Sequence, residues 1–393
     1  MWQNRSVNIT SFFLQNKIDT NTESSKFDWW IFLLTIPLLT AGLATMHSFS
    51  HDNSFAYHQM IVITISLSFF FGIGYFLDTK ILRSTKVSVI LFSVIVVLLG
   101  SLTVLGTISH GAKSWYDLGF LSFQPSDFAK VALIIILAKY FSRRHIEIAN
   151  LKHIIVSGLY AFTFFFLVLL HPDLGSAMII GLIWLGMIMV SGVSKKHLLG
   201  MIVLAIIAFV LLWSFAFKEY QKDRIRNFID PLSDIRGSGY NAYQSTIAVG
   251  SGYFVGKGLG YGTQSRLNFL PEYQTDFIFA AFAEEWGFVG VIIFFIVYGS
   301  VVMRIIYLAT KGSSNFEILF GAGVAIYFIV HLLINVGMNI QLLPVTGTPL
   351  PFMSYGGSHM LSEYVLLGIL VAMKRHSRTM HRDMAKNEFI GPQ

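Results

Sequence analysis

"LPEYQTDFIFAAFAEEWGFVGVIIFFIVYGS", residues 270–300, passes from a polar lead with Glu272 and Asp276, through Glu284 and Glu285, into an apolar run that continues to about residue 308. A run of roughly 20 apolar residues crosses about 30 Å of hydrocarbon. In lipid such a run has to be helical, because no water is present to satisfy open backbone groups. Comparable runs recur along nearly the whole 393-residue chain, which is 54% hydrophobic, only 12% charged and contains 36 Phe. That composition excludes an ordinary soluble domain and predicts an all-α polytopic membrane protein.

Ten spans are predicted, at about 29–49, 58–77, 86–108, 126–142, 153–170, 174–191, 197–217, 283–308, 316–340 and 358–373. They divide the chain into an N-terminal tail (1–28), a ten-helix membrane domain (29–373) and a C-terminal tail (374–393), with a large extracytoplasmic loop at 218–276. Lys80, Arg83, Lys86, Arg143, Arg144, Lys195, Lys196, Arg304, Lys311, Lys374 and Arg375 fall on one side of this layout, whereas loops 50–57, 171–173 and 341–357 contain no Lys or Arg. The positive-inside rule then places both termini in the cytoplasm. The net charge of +7 is accounted for by these helix ends and requires no nucleic-acid partner. Cysteine is absent, which excludes a disulfide framework and a thiolate metal site. The first 26 residues lack the short apolar core of a cleaved signal peptide, so the first span is expected to act as its own membrane signal.

Within the large loop, "GSGYFVGKGLGYGTQS" (250–265) has glycine spacing suited to tight turns or to close backbone approach to a ligand. It is not a phosphate loop, because Gly258 rather than Ser or Thr follows Lys257. A flexible re-entrant loop is the competing reading.

Ionisable residues inside spans are expensive and therefore functional candidates. Lys130 lies three residues after Asp127 near the start of span four, so either an ion pair or an anion-binding cation fits. Asp173 in "HPDLGSA" (171–177) and Asp276 both stand where a helix begins, and capping is open to each. For Asp276, a helix N-terminus favours the carboxylate while partial burial raises its basicity toward that of a general base. Glu284 and Glu285 face different directions, so one of them at most points toward Asp276. His359 and Glu363 share a helix face at i, i+4, which suits an internal ion pair, a metal site or proton transfer.

Four stretches resemble the SEDS family (shape, elongation, division and sporulation) of peptidoglycan glycosyltransferases: "GAKSWYDLGFLSFQPSDFAK" (111–130), "HPDLGSA", residues 239–290, and "LPVTGTPLPFMSYGGS" (343–358). The order and ten-span layout are the family's, and "TGTPLPF" is more like the RodA elongation branch than the FtsW division branch. The resemblance implies polymerisation of lipid II, with Asp276 as the base that deprotonates the acceptor 4-hydroxyl. Inversion at the donor carbon would then release undecaprenyl pyrophosphate. It further implies pyrophosphate- or sugar-binding roles for Lys130, Lys113, Asp173, Gln264, Glu272 and Ser354, with Glu285 and Gln274 supporting the base. A divalent cation (Mg or Mn), a class B penicillin-binding protein transpeptidase and elongasome proteins are implied as cofactor and partners, without an organic cofactor. The chain departs from the pattern at Ser114, Ser122, Asn268 and Gln274, and His359 and Glu363 add polarity to a helix that is usually apolar. A lipid II transporter and a non-catalytic scaffold for a transpeptidase are the competing functions.

Overall fold

The computed structural model of the chain describes residues 27–49, 54–109, 112–117, 122–143, 151–215, 219–230, 239–267 and 269–388. The first half contains α1 (Trp29–Phe49), α2 (Ser54–Phe76), the short α3 (Thr79–Leu82), α4 (Thr85–Leu105), α5 (Pro125–Ser142), α6 (Leu151–Leu170), α7 (Leu174–Ser191) and α8 (Lys195–Phe215). Three shorter helices follow, α9 (Glu219–Ile229), α10 (Tyr240–Ser251) and α11 (Thr263–Arg266), before the bundle resumes with α12 (Ile278–Thr310), α13 (Asn315–Asn339) and α14 (Gly357–Glu388). Each predicted span is thus a helix. Seven of them, α1, α2, α4, α6, α7, α12 and α13, are long and apolar enough to cross a membrane by length and composition alone.

α5 carries Asp127, Lys130 and Lys139, yet every residue of it except Phe128, Tyr140 and Ser142 is buried. Its charges are tolerated because α13, α4 and α7 surround it, so it faces protein instead of lipid. Outside this pillar, α14 lies along α2, and α12 packs between α1 and α13. One departure from an all-helical reading is a three-stranded antiparallel meander between α4 and α5, formed by β1 (Thr107–Ser109), β2 (Ala112–Asp117) and β3 (Ser122–Phe123). It places Tyr116 opposite Phe123.

The glycine-rich stretch is an ordered segment that repairs a break in α12. At Gly287 the backbone leaves the helical region (φ 64°, ψ −167°). The interruption frees carbonyls on one side and amides on the other, and water cannot satisfy them at membrane depth. Segment 253–258 does so instead. Lys257 N and Gly258 N donate to the carbonyls of Glu284 and Glu285, each at 3.0 Å, while Phe288 N and Val289 N donate to Tyr253 O (2.9 Å) and Phe254 O (3.1 Å). A Cβ on Gly256 or Gly287 would overlap the opposing backbone, and both residues have positive φ.

The two buried glutamates pin the same segment through their side chains. Glu284 Oε1 accepts from Lys257 Nζ (2.7 Å), and Gln264 N donates to the same carboxylate (3.1 Å). Glu285 Oε1 accepts from Gly260 N and from Ser48 Oγ of α1, each at 2.6 Å.

The far end of α12 belongs to an ionic cluster. Asp28, just before α1, accepts from Arg304 Nη2 (2.6 Å) and Nε (3.2 Å), and Lys374 of α14 joins the same carboxylate. Arg83 likewise pairs with Glu317 at the start of α13. These contacts gather the basic helix ends predicted from sequence on the side of the bundle opposite Asp276. Burial acts to raise the Asp28 pKa, but its hydrogen bonds to Arg304 and Lys374 prevail and hold it below the ordinary carboxylate value. The resulting stabilisation is fully present above that ordinary value of 3.8 and is lost as pH falls through the lower folded value. Asp28→Asn is expected to cost about 2 kcal/mol, the scale of hydrogen bonds to a charged group. In thermal melts of purified protein it should flatten the acid limb of the stability profile; an unchanged acid limb would show that Asp28 is not the titrating group.

Candidate active site

Asp276 sits half-buried on the turn that leads into α12. The N-cap position is occupied by Phe277, so Asp276 stands one residue before the cap. Its main-chain oxygen is held by two fully buried amides of α13, accepting from Asn335 Nδ2 (3.0 Å) and Asn339 Nδ2 (3.1 Å). Asn335 Nδ2 also donates to Thr348 O (2.8 Å), and Asn339 Oδ1 accepts from Ala280 N (3.2 Å) in the first turn of α12. Ser245 Oγ of α10 closes the set by donating to Asn339 O (2.8 Å). One pair of side chains therefore fixes Asp276, the first turn of α12 and the 343–356 loop relative to one another.

That loop forms the rest of the site. A Cβ on Gly347, where φ is +72°, would lie 3.3 Å from Asp276 Oδ2, so the missing side chain leaves room for the carboxylate. Ser354 Oγ donates to Thr275 O (2.6 Å), and Tyr355 N donates to Gln274 O (2.8 Å). On the other flank, Gly175 in the first turn of α7 packs against Thr346 O at 2.7 Å from its notional Cβ, and Arg224 of α9 donates to that same oxygen at 3.4 Å. Arg224 is thereby the cation the fold brings to the loop beside Asp276.

The other residues singled out from the sequence fall into distinct places. Asp173 is an N-cap: Oδ1 accepts from Ser176 N (2.9 Å), and Oδ2 accepts from Gln124 Nε2 (3.1 Å). Ser354 is buried, with its hydroxyl bracing the loop through Leu350 N and Thr275 O. Glu272 has positive φ (51°), and its Oε2 accepts from Thr275 Oγ1 (3.0 Å). Gln264 and Gln274 each bury a side-chain oxygen that has no hydrogen-bond partner among the described residues. Glu285 is tied to Ser48 and Gly260 on the repaired break. Ser114 Oγ donates to His171 O (3.2 Å). The side chain of Lys113 and residue Asn268 lie outside the described residues.

Lys130 is 1% exposed, and its Nζ donates to Asp127 Oδ1 at 2.9 Å, so the ion pair expected from their spacing is made. The pair is part of a larger buried network. His359 Nδ1 lies 3.6 Å from the same Asp127 oxygen, and its Nε2 lies 2.8 Å from Glu363 Oε1. Glu363 Oε2 accepts from Phe352 N (3.1 Å), a residue of the 343–356 loop with φ +66°. A chain of buried contacts thus runs from Lys130 to the loop that frames Asp276. Among the described residues no three His, Cys, Asp or Glu side chains converge as a metal cage. A Mg2+-type ion shared with substrate phosphates needs only one or two carboxylates, and Asp276 and Glu272 are the acids on the turn that fit that demand.

Two consequences are measurable before any reaction is assigned. Asn339→Ala leaves the Asp276 and Ala280 backbone groups short of partners, at a cost of about 1–3 kcal/mol. Hydrogen exchange should accelerate over 276–281, with α4 and α6 unchanged as controls. In the ionic network, His359→Leu isolates Glu363 and is expected to cost about 3–5 kcal/mol, whereas His359→Leu with Glu363→Leu removes both partners and costs less. Melting curves that show the double variant to be the less stable would refute the pairing.

Comparison with known proteins agrees with this architecture. Residues 26–379 match the cell cycle protein family of FtsW, RodA and SpoVE. The peptidoglycan glycosyltransferase MrdB of Escherichia coli (strain K12) is 37% identical over 295 residues, covering 75% of this chain and 79% of that protein. A chain from the structure of a peptidoglycan synthase complex that coordinates polymerization and crosslinking superposes with a TM-score of 0.77 at 28% identity, covering 89% of this chain and 98% of that one. The crystal structure of the rod shape determining protein RodA of Thermus thermophilus gives 0.67 at 26% identity, covering 89% and 97%. The chain belongs to the FtsW, RodA and SpoVE family of multi-pass membrane proteins.

Proposed function

We propose that this chain is a peptidoglycan glycosyltransferase that polymerises lipid II during cell-wall elongation, with Asp276 as general base. The observation that carries the assignment is the clamping of Asp276 by Asn335 and Asn339 against the open face of Gly347. A base of this kind has to be fixed in place while its oxygen remains accessible. Asp276 takes the proton of the acceptor 4-hydroxyl as that oxygen bonds to the donor anomeric carbon. The bond from that carbon to the pyrophosphate oxygen breaks, with inversion.

The departing undecaprenyl pyrophosphate needs positive charge. Arg224, already directed at the loop, can supply it directly. Lys130 reaches the leaving group only by exchanging Asp127 for phosphate, and His359 lies close enough to keep Asp127 paired when it does. A divalent cation bound with the pyrophosphate would add Lewis-acid neutralisation, with Asp276 and Glu272 as the candidate protein ligands. The basic cluster around Arg304 and Lys374 faces the cytoplasm in this reading, which puts Asp276 at the outer surface and both termini inside. The relative solved within a synthase complex supports pairing of this chain with a class B penicillin-binding protein transpeptidase, alongside elongasome proteins.

The test is polymerisation of labelled lipid II by purified protein with its transpeptidase and Mg or Mn. Asp276→Asn should lower the rate by about 10²–10⁴-fold, the range for a general base, with an unchanged melting temperature. Full polymerisation by that variant removes Asp276 from the mechanism. Movement of lipid II across liposomes by wild-type protein, without polymer, would instead establish the transporter.

A further inference from the structure

The residues that lead up to Asp276 are held by their main-chain oxygens, one after another. Tyr355 N donates to Gln274 O (2.8 Å), Ser354 Oγ donates to Thr275 O (2.6 Å), and Asn335 and Asn339 both donate to Asp276 O. The contacts to Gln274 and Thr275 come from the 343–356 loop. Asp276 is therefore placed only as firmly as Ser354 and Tyr355 are.

Those two residues are gripped by α2. Gln59, in the second turn of that helix, is 2% exposed. Its Nε2 donates to Ser354 O (3.2 Å), and its Oε1 accepts from Gly356 N (3.3 Å). One amide thus spans Tyr355, taking the carbonyl before it and the N–H after it. Phe55, one turn earlier on the same face of α2, packs edge-on against the Tyr355 ring with centroids 5.5 Å apart. A primary amide suits this place because it carries a donor and an acceptor together, whereas an ionised acid only accepts and an aliphatic chain does neither. Burying an amide in a membrane span is costly unless both of its ends are paired, and here both are committed to the loop. The platform beneath them is firm, since α2 lies along α14, the helix into which the loop runs at Gly357.

We infer that Gln59 is a positioning residue of the candidate active site: through Ser354 and Gly356 it sets the loop contacts that aim Asp276, without touching the reacting atoms. The inference deepens the assignment of Asp276 as general base and rests on it. It gives a role in the reaction to α2, a helix that carries no Asp, Glu, Lys or Arg.

Purified full-length protein with Gln59→Met, which keeps the side chain's length and removes both hydrogen bonds, tests this by two measurements. Hydrogen exchange in peptides covering 354–356 and 274–277 should accelerate at least about fivefold, the equivalent of one lost hydrogen bond, with α4 and α6 unchanged. Polymerisation of labelled lipid II, with the transpeptidase and Mg or Mn, should show kcat lowered by about 10–10²-fold and KM changed far less, the pattern of a displaced catalytic group. Gln59→Asn, which keeps a polar group but is too short to span Tyr355, should act in the same direction and serves should the Met variant fold poorly. Met60→Leu, on the exposed face of the same helix, should leave both measurements at the wild-type level. Unaccelerated exchange over 354–356 in both Gln59 variants overturns the inference, as does accelerated exchange with kcat at the wild-type level. Absence of polymer from wild-type protein would instead remove the functional assignment, and the exchange measurement would still decide whether Gln59 holds the loop.

Discussion

Backbone groups freed by the break at Gly287 must find partners where water is absent, and that requirement organises the outer half of the bundle. Each unpaired amide or carbonyl in hydrocarbon costs several kcal/mol. Segment 253–258 supplies four partners to α12 at the break, and Glu284 and Glu285 hold that segment in register through Lys257 and Gly260. With the segment fixed, α10 packs against α12, Gln264 of α11 donates to Glu284, and Ser245 of α10 reaches Asn339. Asn339 in turn holds Asp276. The position of the candidate base therefore depends on a repair made about three turns further along the chain, within α12.

The same medium explains the density of pairing among buried charges. Lys130, Asp127, His359 and Glu363 are all at most 5% exposed. No member can be ionised alone at that depth without a large penalty, so the cluster is stable only as a set. Its geometry has slack within it: Asp127 Oδ2 has no hydrogen-bond partner among the described residues, and His359 sits 3.6 Å from Oδ1. A network with a spare acceptor and a second cation can let Lys130 exchange partners without stranding Asp127. Glu363 also holds Phe352 N, whose residue has a left-handed conformation, so the network extends to the loop beside Asp276.

The ten spans were legible in the sequence because bilayer thickness and backbone satisfaction leave few alternatives to a helix of that length. The break in one of them was not, since Gly287 within an apolar run looks like any tolerated membrane glycine. Its partner segment consequently read as a loop awaiting a ligand. Asp276 stood among several acids that physical reasoning alone did not separate, and family resemblance singled it out. Asn335 and Asn339 went unnoticed for a different reason. Neither carries charge, and their partner Asp276 lies 59 and 63 residues away in sequence. The available signal was a pair of amides at i, i+4 inside an apolar span, which in lipid points inward and must be satisfied.

α12 connects chemistry on one membrane face to electrostatics on the other, and the two ends obey different constraints. At the Asp276 end, the amides of Asn335 and Asn339 fix geometry, the precision that a general base at this position would require. At the Arg304 end, one carboxylate, Asp28, gathers Arg304 and Lys374 and so ties α12 to α1 and α14. The break at Gly287 lies between them and uncouples the helical register of the two halves. Both halves are nevertheless held to α1, the outer through Glu285 and Ser48 and the inner through Arg304 and Asp28.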